Sequence, residues 1–287
     1  MNALEITVAI LLITIIVSFF YGLFSGNYST VDRLWSVLPP VYALIWMYGY
    51  TNNIRLVIAS VLVIAWGIRL SLNFARRGGY AFSWKKGFTG EDYRWEIMRK
   101  KIGNRLLFEL FNFFFICVFQ LVLIFAITLP LYIVRENPAP LNLADILLFV
   151  LHLAFLIGEI VSDNQQFRFQ IQKRDPEYTD SQRHQLGFNT FGLWKFSRHP
   201  NYFFEIAQWV VVAFYAMNAT GTLHWSAAGA LVLILLFTGS TNLTESITAF
   251  KYPYYSDWRQ VTNTWLTLPG FFKQPEKRDS FLEDLKA

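Results

Sequence analysis

Seven stretches of this chain, 4–24, 34–50, 54–75, 106–134, 141–161, 203–219 and 223–243, are apolar over lengths that no soluble surface absorbs. A bilayer core of about 30 Å is crossed by about 20 residues at a rise of about 1.5 Å each, so each stretch reads as a transmembrane helix. Composition agrees: 54% of the 287 residues are hydrophobic and only 16% are charged. That balance excludes disordered, collagen-like and nucleic-acid-binding chains. The lone cysteine, Cys117, rules out an internal disulfide or a CxxC centre. Four scattered histidines, His152, His184, His199 and His224, are too few for the histidine boxes of a membrane di-iron oxygenase, and no metal site is expected.

The expected fold class is therefore all-α, a single multi-pass bundle of about seven helices over 1–287. Pro39 and Pro40 fall inside the second span and should kink or break it. Basic residues orient the bundle, because retained cytoplasmic loops collect Lys and Arg. Segments 76–105, 162–202 and 251–287 hold 21 of the 25 Lys and Arg residues, against Arg55 and Arg135 on the opposite loops. The N-terminus is thus expected outside and the C-terminus in the cytoplasm, with 76–105 and 162–202 as cytoplasmic inserts and 251–287 as an amphipathic tail. Span one lacks a basic n-region and a small-residue cleavage site and is read as a retained helix. The host is expected to be a bacterial inner membrane or the endoplasmic reticulum.

Polar residues inside the apolar helices point to function, since they are costly there. Of Arg69, Asn73, Arg76 and Arg77 at the end of span three, most fall on one helical face; Arg76 and Arg77 suit snorkelling, whereas the deeper Arg69 suits pairing with a carboxylate or phosphate. Span five ends in GEIVSDNQQFRFQIQKRD, where a continued helix places Glu159, Asp163 and Gln166 on one face, followed by Arg168 and Lys173. A solvated helical extension explains these charges, but not Glu159 within the last turns of the span.

The richest stretch is LWKFSRHPNYFFEIAQW, residues 193–209. Pro200 disfavours helix at His199 and suits the first turn of the next helix, so Arg198 and His199 stand before a helix N-terminus, an arrangement suited to a phosphate. Asn201, Glu205 and Trp209 then share a face, as do Tyr202 and Glu205. An ordinary cap with an interfacial aromatic belt accounts for Tyr202 and Trp209, while a buried Glu205 calls for a donor such as a ribose hydroxyl, an amide or an arginine. Glu245 follows span seven, and 251–272, containing Tyr255, reads as an aromatic amphipathic segment lying against the bundle ends. His152 and His224 read as a packed helix residue and an interface residue. No P-loop, GxSxG, HExxH or GxGxxG motif occurs.

SRHPNYFFE, SDNQQFRFQ, VDRLWS and WGIRL…RRGG resemble the DUF1295 and steroid 5α-reductase group of membrane proteins, with sterol C=C reductases as relatives. The R-H-P-x-Y element alone is also similar to one in isoprenylcysteine carboxyl methyltransferases and phospholipid methyltransferases. Asn201 before the Tyr, Glu205 after it and the upstream SD-containing helix end favour the reductase side. The resemblance implies a bundle that binds NADPH from the cytoplasmic side and reduces a C=C bond conjugated to a carbonyl in a lipid. Carried over by position, Asp163 contacts the nicotinamide or ribose end, Glu159 stands where steroid reductases keep an asparagine, and Asn201, Glu205 and Trp209 match the family's Asn, Glu and Trp. Arg168, Lys173 and Arg198 are available to phosphates. Steroid reductases also carry a Gln-Glu pair and a Tyr that polarise the substrate carbonyl; here those positions read Asp32-Arg33 and Ala65 or Trp66.

The resulting expectation is an NADPH-dependent reductase of an enone-like isoprenoid or other lipid, working among membrane lipids without nucleic acid. Its cofactor residues are Glu159, Asp163, Gln166, Arg168, Lys173, Arg198, His199, Asn201, Tyr202, Glu205, Trp209, Glu245 and Tyr255. Tyr42, Asp32 if burial keeps it protonated, and Arg69 are candidates for stabilising the enolate oxygen. The rival is an S-adenosylmethionine-dependent methyltransferase using the same Arg198-His199-Pro200 cap, and a lipid-binding scaffold without catalysis is a third reading.

Overall fold

The computed structural model describes residues 1–85, 87–178, 182–266 and 273–284, and these are helical almost throughout. Lys86, Lys286 and the 267–272 part of the amphipathic tail lie outside the described residues. The chain forms two compact units, Met1–His152 with Trp209–Val232 and Leu153–Gln208 with Leu233–Ala287.

In the first unit, α1 (Ala3–Ser25) opens on a reciprocal capping box between Asn2 and Glu5 and closes at Gly26, whose φ of 70° lets the chain turn away without strain. Short α2 (Thr30–Leu34) and α3 (Leu38–Met47) follow, then α4 (Ile54–Arg76). Pro39 and Pro40 sit in the first turn of α3, where their missing N–H groups are harmless. They therefore begin a helix where the sequence pattern placed the middle of one. The expected span 34–50 becomes a 10-residue helix of about 15 Å, half of a bilayer core. Gly67 on α4 admits this helix closely, since any Cβ there meets the Pro40 ring and the Ser36 carbonyl.

The insert after α4 folds as a two-residue β-pair, β1 (Phe82–Ser83) with β2 (Gly87–Phe88), and helix α5 (Tyr93–Ile102). Buried Arg33 organises it: Nε donates to the Gly79 carbonyl at 2.9 Å, Nη2 to the Gly90 carbonyl, and the guanidinium lies 4.3 Å from the Phe88 ring centroid. A continuous helical run follows, α6 (Arg105–Phe111), a π-helical segment Asn112–Phe119 and α7 (Gln120–Glu136). Phe111, Phe115 and Phe119 stack along it.

α8 (Leu143–Gln172) and α10 (Pro200–Thr220), with the short α9 (Gln182–Gln185) between them, and α11 (Ala228–Lys251) complete the long helices. At 30 residues α8 is about 45 Å long, so it continues unbroken into the polar stretch after span five as the sequence indicated. Among the described residues, five helical stretches are long and apolar enough to cross a membrane: Ala3–Ser25, Ile54–Arg76, Arg105–Glu136, Leu143–Gln172 and Trp225–Lys251. α10 is long enough at 21 residues, but Asn201, Glu205, Gln208 and Asn218 dilute its apolar character. In the second unit α12 (Tyr255–Val261) and α13 (Pro275–Asp284) bury Leu186, Phe188, Tyr255, Trp258, Val261 and Leu282 in a small apolar core.

One ion pair of the first unit is wholly enclosed. Arg55 donates to both oxygens of Asp145 at 2.5 and 2.7 Å, and the same carboxylate accepts from Asn218 at 2.7 Å. Leaving one such charge without its partner costs about 3–5 kcal/mol, whereas exchanging both for apolar residues can be neutral. Asp145→Leu alone is expected to lower stability by that amount in detergent unfolding experiments, and Arg55→Met with Asp145→Leu to recover most of the loss.

Candidate functional site

Within the second unit, a polar seam runs between α8 and the first turns of α10. Glu159 and Asp163 are four residues apart on α8, and Asn201, Glu205 and Gln208 follow one face of α10. The helices meet antiparallel along this seam. Asn201 Nδ2 donates to Asp163 Oδ1 at 3.4 Å, and Gln208 Nε2 donates to Glu159 Oε2 at 2.6 Å. Glu159, Asp163, Glu205 and Gln208 are all buried. The carboxyl groups decide which way the amides face: each NH2 group points at a carboxyl oxygen, leaving the amide carbonyl to find its own donor. Among the described residues, Asn201 Oδ1, Gln208 Oε1 and the neighbouring Gln166 Oε1 are buried without a hydrogen-bond partner. An orphaned acceptor costs about 1–3 kcal/mol, so the seam is short of donors.

Just before α10 lies an ionic hub. Glu245 of α11, 2% exposed, accepts from Arg198 Nε at 2.7 Å and Nη2 at 3.3 Å, faces Arg259 Nε at 3.0 Å and lies 3.1 Å from His199 Nε2. Arg198 also donates to the Thr262 and Arg259 carbonyls and to Thr264 Oγ1. Its five N–H bonds are thereby all used. The backbone amides of Arg198 and His199 donate to the Asn263 and Thr264 carbonyls, so the tail strand is bridged to Ser197 beside the helix start. Arg198, expected to hold a phosphate before the helix start, spends its side-chain donors within the protein, and the amides of Arg198 and His199 go to the tail. His199 stacks on Tyr202, which meets Phe237 edge-on.

Outside the hub, Arg259 and Lys273, with Ser256 and Gln260, line a cleft of about 300 Å³ whose remaining wall is Arg198. Sequence reasoning missed this cleft, since its residues come from a segment read only as an amphipathic anchor. It also missed Gln208, although the residue shares the face of Asn201 and Glu205.

The other candidates distribute as follows. Gly192, with φ +57°, starts a 3₁₀ turn that docks on α8, where Trp194 Nε1 donates to the Ser162 carbonyl and the Leu193 amide to Gln165. Lys173 is engaged with the Gly187 carbonyl at 3.0 Å and Tyr252 Oη at 3.3 Å, and Arg168 is exposed. Burial opposes ionisation of Tyr252, but Lys173 and Lys251 outweigh it and hold the phenol below its usual range. Tyr255, expected at the cofactor, packs in the tail's apolar core, where burial and then the Glu245 charge push its phenol up. Trp209, also expected there, lies edge-on to Trp66 within the first unit, at 4.8 Å between centroids. Asp32 accepts from Trp95 Nε1 at 2.7 Å with Arg94 at 3.8 Å; burial, opposed by Arg94, raises its carboxyl pKa. Tyr42 is fully buried against Trp46 and Phe125, and its hydroxyl has no partner among the described residues. Arg69 is half-buried on α4. His152 is packed, 3.2 Å from Tyr215 Oη, and His224 caps the turn before α11 through Ser226.

Residues 18–264 match the family described as Protein of unknown function (DUF1295). The chain belongs to this family. The match takes in the whole seam, Glu245 and Arg259 but ends before Lys273. This DUF1295 protein is similar to an uncharacterized protein of Schizosaccharomyces pombe, 32% identical over 274 residues, covering 88% of this chain and 77% of that relative. No solved structure matches it.

Removing the hub's charge tests its role. Glu245→Gln leaves Arg198 buried beside a neutral amide, so hydrogen-exchange protection over 255–264 is expected to fall by about tenfold or more, with α1 unaffected.

Proposed function

We propose that this DUF1295 protein is a membrane oxidoreductase that uses NADPH to saturate a C=C bond conjugated to a carbonyl in a lipid. The observation that carries this reading is the donor-poor seam, in which three buried amide oxygens stand unpartnered among the described residues beside Glu159 and Asp163. A ligand rich in hydroxyl and amide donors relieves that deficit. Ribose hydroxyls and the carboxamide of a nicotinamide nucleotide are such donors, so the residues fit the group. Asn201, Gln208 and Gln166 would hold it through their carbonyl oxygens, with the carboxyl groups of Asp163, Glu159 and Glu205 as further acceptors. When bound, NADPH supplies the hydride.

The chain's own part is to orient and to exclude water. Apolar helices flank the seam, and a dry site strengthens each hydrogen bond made there. The net reaction adds the hydride to the β carbon and a solvent-derived proton to the α carbon, leaving the oxidised nucleotide. The concentration of Lys and Arg in 76–105, 162–202 and the tail supports a cytoplasmic supply of nucleotide under this reading.

Purified protein is expected to be stabilised by about 2.7 kcal/mol in NADPH at a hundredfold excess over Kd. Asn201→Ala and Gln208→Ala should each abolish that shift while leaving the protein folded. Stabilisation by S-adenosylmethionine, with none by NADPH, would move the protein to the methyltransferase class.

A further inference from the structure

The cleft beside the ionic hub has a chemistry that the seam lacks. Arg259 and Lys273 bring two cations to its walls, Ser256 and Gln260 bring neutral side-chain donors, and Arg198 adds a third positive charge. Arg198 and Arg259 share one carboxylate, Glu245, so the surround keeps a net positive charge with that carboxylate ionised. Arg198 contributes field only, its N–H groups being committed. Arg259 and Lys273 are tied to one another as well: Lys273 Nζ donates to the Arg259 carbonyl at 3.2 Å, and the Lys273 amide to Asn263 Oδ1 at 3.1 Å, which places the ammonium at the rim. All of these residues belong to the second unit, and Arg198 stands three residues before Asn201 of the seam.

We propose that this cleft is a phosphate-monoester site in which Arg259 and Lys273 are the direct ligands, Ser256 and Gln260 donate to the remaining oxygens, and Arg198 supplies background potential. A doubly charged monoester matches a cluster of cations better than a diester does, and Arg and Lys donors to an anion make the stronger, charge-assisted class of hydrogen bond. Resting on the nucleotide reading of the seam, the ligand is the 2′-phosphate that separates NADPH from NADH, and the cleft is what makes the protein choose between them. The same chemistry could be met by the monoester headgroup of phosphatidic acid, which the experiment separates.

The test uses full-length protein in phosphatidylcholine nanodiscs, with NADPH and NADH affinities measured for wild type, Lys273→Gln and Arg259→Gln. Losing one charged donor is expected to weaken NADPH about tenfold to a hundredfold while NADH is unchanged. Lys273→Gln is the safer variant, because its side chain is exposed and outside the Glu245 hub. NADPH preference unchanged in both variants, or equal loss for the two nucleotides, overturns the proposal. Should neither nucleotide bind wild type, the nucleotide reading fails by itself. The cleft is then judged by thermal stabilisation with inorganic phosphate and with phosphatidic acid in the nanodisc. Stabilisation that both variants lose keeps a phosphate site with a lipid or free-phosphate ligand; no stabilisation overturns it.

Discussion

A carboxylate withdrawn from solvent and ringed by cations organises the second unit. Taking Glu245 and Arg198 out of water costs several kcal/mol per ion, which geometry must offset with a full set of hydrogen bonds. The structure meets that demand by spending every N–H of Arg198 on Glu245, two tail carbonyls and one threonine hydroxyl. Three distant parts of the sequence are thereby brought to one point: the start of α10, the last turns of α11 and the strand after α12. Pinning Arg198 also fixes where α10 begins, and Pro200 holds that start two residues further on. The phase of the helix follows, and with it the placement of Asn201 and Gln208 opposite Asp163 and Glu159.

The seam and the cleft are opposite in character. One is rich in acceptors and set between apolar helices; the other is rich in cations and open to solvent. A single ligand satisfies both only if it presents hydroxyl or amide donors in one part and a phosphate in another. Neither half selects a nucleotide alone, since a carboxylate-rich seam could serve a polar lipid and a basic cleft could serve any anion. The conjunction within one unit, with Arg198 of the cleft three residues before Asn201 of the seam, narrows the choice.

Much of this architecture was legible in the sequence because hydrophobic length and the position of a proline are local quantities. The long apolar helices, the unbroken extension of α8 past Asp163 and the start of α10 at Pro200 all follow from them. The second expected span did not, since hydropathy cannot tell a proline pair that interrupts a helix from one that starts it. What sequence could not show is commitment. Arg198 reads as a phosphate ligand until its donors are counted, and Tyr255 reads as a cofactor residue until Leu186, Phe188 and Leu282 close around it. Gln208 was within reach, as it shares the face of Asn201, but a glutamine in an apolar helix attracts less notice than the tryptophan beside it. The Arg259–Lys273 cleft depends on how the tail folds back, which no spacing rule foretells.

This distinction between commitment and availability bears on the family resemblance itself. The R-H-P-x-Y element is similar across reductases and methyltransferases, which makes it tempting as a cofactor signature. In this protein the Arg of that element clamps the tail, the amides of Arg198 and His199 are bonded to tail carbonyls, His199 lies against Glu245 and the Pro starts a helix. A device that builds the end of a helix is useful to any membrane protein that must present a pocket there, whatever its reaction. The element therefore carries information on architecture and little on chemistry. Reaction class has to be read from the side chains the clamp positions, Asn201, Glu205 and Gln208 against Glu159 and Asp163, because among the described residues the amide oxygens of Asn201 and Gln208 are buried acceptors without a partner.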